Sequence, residues 1–292
     1  MADLQTPYLI WHTTSKVNLR QTTPIVHWDQ RKSGRTYFEN RDREQPEVSL
    51  ELILQDMDEV VDYARNRFSQ DEVIVLGYSW GTIVGTYYVQ EHPDKVAAFI
   101  SVSQIVNVLE GLEYSAQRTR LAAEQAGNSS DAQELADLIV QLNDIDGYCP
   151  ELFRYFHRIE RLAHKYLSHE YQRSISLTAW TSATSPTINM TDLRWFLTII
   201  RSERFEAIQS NILEECFIFD ARSQRVSFDV PTLFISGDSD WITPVILIRQ
   251  YYTEAEISHK ELSILEGVGH NPLLETPDKV YLAIKSFLEQ LR

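Results

Sequence analysis

The chain of 292 residues is 43% apolar and 11% aromatic, ample for a large buried core. Its formal net charge of −15 argues against nucleic acid, whose phosphates need a basic footprint, and equally against an anionic membrane surface. Diffuse acidity of this kind reads as a solubility feature.

The opening residues, Met1 to Pro7, hold no basic region followed by an apolar stretch, so no signal peptide is expected. No run of about 18 apolar residues occurs, so no transmembrane helix is expected either. Cys149 and Cys216 are far apart and in no CxxC or metal-ligand spacing, which fits a reduced, cytoplasmic protein. No internal repeat, low-complexity tract or flexible linker interrupts the chain.

Short β-branched runs come first: Tyr8 to Trp11 and Ile25 to Trp28. A helix follows from an N-cap at Ser49, with Leu50, Ile53, Leu54, Met57, Val60, Val61 and Ala64 at helical spacing. Val73 to Leu76 is the next predicted strand, then a helix from near Gly81 to His92, where Pro93 stops it. Ala97 to Val102 is another strand. Near-continuous apolar runs separated by helices suit parallel strands buried on both faces, so the fold class is α/β.

Between roughly Gln104 and Phe228 the grammar changes to consecutive helices, among them Glu110 to Ala126, Asp131 to Leu142 and Thr191 to Leu213. The sheet resumes with Thr232 to Ile235 and Glu261 to Leu265, and a helix from Pro277 to Leu291 closes the chain. An α/β core over residues 1–103 and 228–292, with a helical cap over 104–227, is therefore expected.

Gly77-Tyr78-Ser79-Trp80-Gly81 matches G-x-S-x-G in the context that gives the motif meaning: a strand before it and a helix after it. A tight strand-to-helix turn strains the serine backbone, flanking glycines avoid clashes, and the hydroxyl is held out at the carboxyl end of the sheet. The backbone N–H of Trp80, at the helix start, can face a developing oxyanion.

A serine hydroxyl needs a base to take its proton, and the base needs an orienting acid. Ser236 to Pro244 follows one strand and contains two acids, Asp238 and Asp240; Glu266 to Pro272 follows the next and contains His270. Both segments lie past the carboxyl ends of their strands, on the edge that carries Ser79. Asp240 is preferred as the acid, because Asp238 lies in the turn itself and suits bonding to loop backbone. The remaining histidines lack such a context: His92 reads as a helix end, and His157, His164 and His169 as helix-surface residues. No HExxH-type spacing appears, and neither a metal nor another cofactor is expected.

Together these motifs resemble the proline iminopeptidase-like branch of the α/β-hydrolase superfamily. Trp28-Asp29-Gln30-Arg31-Lys32-Ser33-Gly34-Arg35-Thr36 is similar to that branch's W-D-Q-R-G-x-G-x-S segment. Gly77 to Thr82 is similar to its elbow, and Gly267-Val268-Gly269-His270-Asn271-Pro272, with Glu275 and Pro277, to its histidine loop. The resemblance implies an α/β-hydrolase fold, a mostly parallel sheet with an inserted helical cap that selects a small-molecule or short-peptide substrate. It further implies cap carboxylates that bind the substrate's free amino group. Glu110, Glu113, Glu203, Glu214 and Glu215 are the candidates, with no basis for choosing among them.

Two departures stand out. The family's H-G-G-P-G-like loop, source of a second oxyanion N–H, corresponds here to Trp11-His12-Thr13-Thr14-Ser15-Lys16, and Lys32 stands where the family has glycine. The few residues before His12 predict a shortened N-terminal part of the sheet. Loss of one oxyanion donor costs about 2.7–4 kcal/mol of transition-state stabilisation. A slow enzyme, recruitment of Thr13 or Thr14 beside Trp80, and lost catalysis are the three outcomes.

The expected function is a serine hydrolase that cleaves a small amide or ester through an acyl-enzyme on Ser79, aminopeptidase-like and acting on N-terminal proline in the narrowest version. The alternative is a catalytically impaired small-molecule binding protein on the same fold. The oligomeric state is left open.

Overall fold

The computed structural model describes residues 24–41, 47–145, 147–167, 189–223 and 227–291. The expected strand at Tyr8–Trp11, the loop carrying His12, Thr13 and Thr14, the shortened N-terminal part of the sheet, and His169 lie outside these residues.

In chain order the elements are α1 (Gly34–Asn40), α2 (Leu50–Phe68), β1 (Val73–Tyr78), α3 (Trp80–Glu91), β2 (Val96–Val102), α4 (Val108–Gln125), α5 (Ser129–Asn143) and α6 (Glu151–Tyr166). Then follow α7 (Met190–Ile200), α8 (Ser202–Ile218), β3 (Ser227–Phe228), β4 (Thr232–Gly237), α9 (Val245–Glu254), β5 (Glu256–Ile257), β6 (Lys260–Leu265), α10 (Pro272–Glu275) and α11 (Pro277–Gln290).

The main sheet has the order β1-β2-β4-β6, every pairing parallel, and β3 and β5 form a small separate parallel pair. Side chains alternate across it as a period of two demands. Phe99 and Phe234 face a core shared with α2, α3 and α9, through Ile53, Ile83, Tyr88 and Ile248. Their neighbours Ala98, Ile100, Leu233 and Ile235 face the opposite layer, built on Val280, Ile284 and Phe287 of α11. Burial on both faces holds for the central strands β2 and β4 but not for β1, where Ile74 is 43% exposed, or for the half-buried β6.

The run Ile25 to Trp28, expected as a strand, is irregular. It joins no described strand, Val26 stays 40% exposed, and Trp28 packs instead against the core beneath α2 and α3. Local β propensity needs a ladder partner to become a strand.

Helices α4 to α8 bury their apolar faces mainly against one another, in a second core of Leu112, Leu135, Leu138, Phe153, Phe156, Ile159, Trp195 and Phe205. The single helix expected over Thr191 to Leu213 is two helices, broken at Arg201 (φ −87°, ψ 83°). The break folds α8 back so that Trp195 and Phe205 approach to 6.4 Å between ring centres. The two ends of this helical segment are tied together where they meet the sheet. Ala221 donates its N–H to the Val106 carbonyl at 2.8 Å, the Asn107 amide donates to Asp220 at 3.1 Å, and Arg222 pairs with both Asp220 and Glu110.

Among the described residues no helix is long and apolar enough to cross a membrane, and no group of three or more His, Cys, Asp or Glu could hold a metal ion.

Candidate active site

The turn between β1 and α3 forces Ser79 to φ 51°, ψ −117°, outside the regions that L-residues ordinarily occupy. Such strain costs on the order of 1–3 kcal/mol and persists only where surroundings over-determine it. They do so here: Ser79 donates its N–H to the Val102 carbonyl, and its own carbonyl accepts from the Thr82 N–H at 2.8 Å and hydroxyl at 2.6 Å.

The two flanking glycines are not equivalent. A Cβ on Gly77 would lie 2.4 Å from the Gly81 carbonyl oxygen, whereas one on Gly81 would meet nothing within 4 Å. Only Gly77 is sterically required.

Asp240 sits past the end of β4, buried, in a dense set of donors. Its Oδ1 accepts from the Ile242 and Thr243 N–H groups at 2.9 and 2.8 Å, and its Oδ2 from the Thr243 hydroxyl at 2.6 Å. Asp238 instead accepts the Gly267 N–H at 2.8 Å, joining its turn to the loop after β6. Gly237 permits that junction, since a Cβ there would overlap the Val268 carbonyl oxygen at 2.0 Å.

His270 bridges the other two residues. Its Nδ1 lies 2.9 Å from Asp240 Oδ2 and 3.1 Å from Oδ1, and its Nε2 lies 3.0 Å from Ser79 Oγ. Ser79, Asp240 and His270 are 3%, 2% and 4% exposed, so these distances belong to a nearly dry site in which electrostatic contacts are strengthened. The Tyr78 ring packs 5.4 Å from the imidazole.

Trp80 is the first residue of α3, so its N–H has no acceptor within the helix. Its indole N–H donates to the Gln30 side-chain oxygen at 3.1 Å, joining the elbow to the Trp28–Thr36 segment. In that segment Lys32 adopts φ 55°, a left-handed conformation that glycine takes at little cost. The segment also holds the helical region: the Lys32 carbonyl accepts from Gln209 at 2.6 Å, and Arg35 forms a two-point pair with Asp192 at 2.9 and 2.7 Å.

A cavity opens over Ser79 and His270. Its walls are largely apolar, from Val106, Val108, Phe156, Leu213, Phe217 and Leu247. Cys216 also lines it, with a thiol that burial pushes up to about 12, so it stays protonated. A second cavity adjoins it, sharing Phe156, Ile242 and His270.

None of the five glutamates proposed from sequence lines either cavity. Glu110 is bound to Arg222, Glu113 to Gln117 on the helix surface, and Glu203 and Glu214 are exposed. Glu215 is half-buried against the start of α2, its carboxyl group pushed up by burial and by Glu214. The acid that does line the second cavity is Glu160 of α6, flanked by His157 at 3.5 Å and His164 at 3.6 Å. Sequence reasoning missed it because α6 was not resolved from its neighbours. Its signal was present: Leu152, Phe153, Phe156, Ile159 and Leu162 mark the buried face, and Glu160 borders it.

The chain belongs to the alpha/beta hydrolase fold family, whose model matches residues 27–277. At 25% identity over 276 residues it is similar to a Bacillus subtilis (strain 168) protein named "Probable aminopeptidase YbaC", covering 93% of this chain and 82% of that one. Among solved structures it is similar to a thermophilic esterase from Thermogutta terrifontis, with a TM-score of 0.56 and 15% identity over 97% of this chain and 85% of that one. A hydrolase from Pseudomonas aeruginosa PA01 is similar with a TM-score of 0.53 and 18% identity, over 92% and 81% of the two chains. At these identities the two structures speak to the fold alone.

Proposed function

We propose that this member of the hydrolase family is a serine hydrolase that cleaves a small amide or ester through an acyl-enzyme on Ser79. The observation that carries the reading is the buried relay Ser79 Oγ–His270 Nε2–His270 Nδ1–Asp240, at 3.0 and 2.9 Å. With Nδ1–H donating to Asp240, the Nε2 lone pair faces the serine hydroxyl. Ser79 Oγ attacks the substrate carbonyl carbon as its proton passes to Nε2. The C–N or C–O bond then breaks as Nε2 returns that proton to the leaving group. Water repeats the sequence on the acyl ester and restores the serine. Asp240, fixed by three donors, orients the imidazole and stabilises its cationic form. The Trp80 N–H at the start of α3 faces the oxyanion.

Within this class an aminopeptidase-like specificity is favoured, with the helical segment acting as a cap that selects substrate. Glu160 supports it: a carboxylate in the mostly apolar wall of the cavity that His270 also lines suits a substrate's ammonium group. The similarity to a protein named as a probable aminopeptidase points the same way.

The test is covalent labelling with a fluorophosphonate probe, located by peptide mass spectrometry, with Ser79→Ala as control. Stoichiometric labelling at Ser79 is expected, and proline arylamides should then be turned over faster than matched esters lacking the amine. A folded protein that stays unlabelled, and is no faster than Ser79→Ala on either substrate, would overturn the proposal in favour of a ligand-binding protein.

A further inference from the structure

We propose that Glu275 is a positioning residue that holds the His270 backbone in register with Ser79 and Asp240; the role rests on the serine-hydrolase reading above. His270 lies in a loop that begins at Gly267, in the left-handed region at φ 69°, and places Gly269 directly before the histidine. Glycines leave a loop conformational freedom, so an Nε2 position accurate to a few tenths of an ångström needs an outside constraint.

The carboxylate of Glu275 supplies it. From the end of α10 it turns back, its Oε2 accepting the Gly269 N–H at 2.9 Å and its Oε1 the Asn271 N–H at 3.2 Å. These are the amides on either side of His270. From the opposite direction the Ser103 hydroxyl donates to the His270 carbonyl at 2.9 Å. The histidine is thus gripped before, behind and at its own carbonyl.

Helix capping explains only one of these bonds. Asn271 is the N-cap of α10 and its side chain accepts the Leu274 N–H, so a carboxylate that takes the Asn271 N–H in return completes a reciprocal cap. The bond to Gly269 lies outside the helix and is the shorter of the two. Gly269 allows it, since a Cβ there would stand 3.1 Å from Glu275 Oε1. Burial raises the Glu275 carboxyl group's affinity for its proton, and the two amide bonds oppose that effect.

Several other groups face the imidazole. Asp240 and the Thr243 hydroxyl lie at Nδ1, Ser79 at Nε2 and the Tyr78 ring at its side. Glu160 and His164 line the adjoining cavity. Glu275 bonds to the loop around His270, and its charge acts on the ring only across space.

The experiment uses Glu275→Gln, which keeps the shape but offers one amide a donor in place of an acceptor, and Gly269→Ala, which crowds the carboxylate from the other side. Four quantities are measured: the rate constant of fluorophosphonate labelling, kcat and KM on the best substrate, thermal melting, and the NMR titration of the His270 imidazole. Both variants are expected to melt within a few degrees of the wild type while labelling rate and kcat fall about 10-fold and KM stays within about twofold. In Glu275→Gln the imidazole should also titrate at lower pH, because a nearby negative charge no longer favours its cation. A wild-type kcat with an unchanged titration overturns the proposal, as does a rate loss that merely follows the melting temperature with the titration unmoved. If the wild type is not labelled at Ser79, the serine mechanism fails, yet the His270 titration still decides what Glu275 does.

Discussion

The sheet and the helical segment between β2 and β3 place their candidate site residues by different rules. In the sheet, Ser79, Asp240 and His270 each stand just past the carboxyl end of a parallel strand, so strand ends alone bring them to one edge. In the helical segment, α4 to α8 offer many carboxylates, and only the packing of helix against helix decides which one faces the cavity. Five glutamates chosen from sequence line neither cavity, and Glu160 lines one. A strand end points a residue through local geometry, whereas a helix spreads its residues around a cylinder and leaves the choice to tertiary contact.

The contrast can be broken hardest at the relay. His270→Ala is expected to lower kcat by on the order of 10⁴ or more, because members of such a relay act as one unit. Circular dichroism and melting should show the fold retained. A loss below tenfold would separate strand-end geometry from chemistry in this chain.

Next in size is the paired glycine test. Gly77→Ala should cost about 1–3 kcal/mol in chemical denaturation, since its Cβ meets a backbone carbonyl that cannot move freely. Gly81→Ala, in the first turn of α3 with open space at its Cβ, should be neutral or gain up to ~1 kcal/mol. Equal effects from the two would contradict the one-sided crowding of the elbow.

The helical segment is probed by Glu160→Gln. The preference for a free-amine substrate over a neutral ester should fall about 10-fold or more, the worth of a charge-assisted hydrogen bond of about 1.5–3 kcal/mol. Glu113→Gln, on a helix surface away from both cavities, should leave the ratio unchanged. The reverse pattern would return the choice of carboxylate to the sequence-based set.

The smallest expected effect is at Lys32. Replacing this left-handed residue by glycine should raise stability by up to about 1 kcal/mol, partly offset by the greater freedom glycine gives the unfolded chain. Thermal melting would read it, and a clear loss would show that the lysine side chain contributes more than its backbone strain costs.

Much of the molecule was legible beforehand because its signals are local. Apolar runs and Pro93 marked β1, β2, β4, β6 and α3 to within one or two residues, and the Ser49 cap marked the start of α2. The family likeness rested on three short motifs whose geometry is set within a single turn each. Where a signal depended on a partner, it failed: Ile25 to Trp28 had strand composition but no described neighbour, and Arg201 broke a helix so that Trp195 and Phe205 could meet.

Sequence by itself determined the α/β class, the family and the three residues carried to one edge of the sheet, because strand, turn and elbow geometry act over a few residues. Only the tertiary structure decided that Gly77 and not Gly81 is crowded, that Glu275 grips the loop of His270, and that Glu160 borders the cavity. Each of those depends on which distant surfaces meet, and no local pattern of residues encodes a distance across the fold.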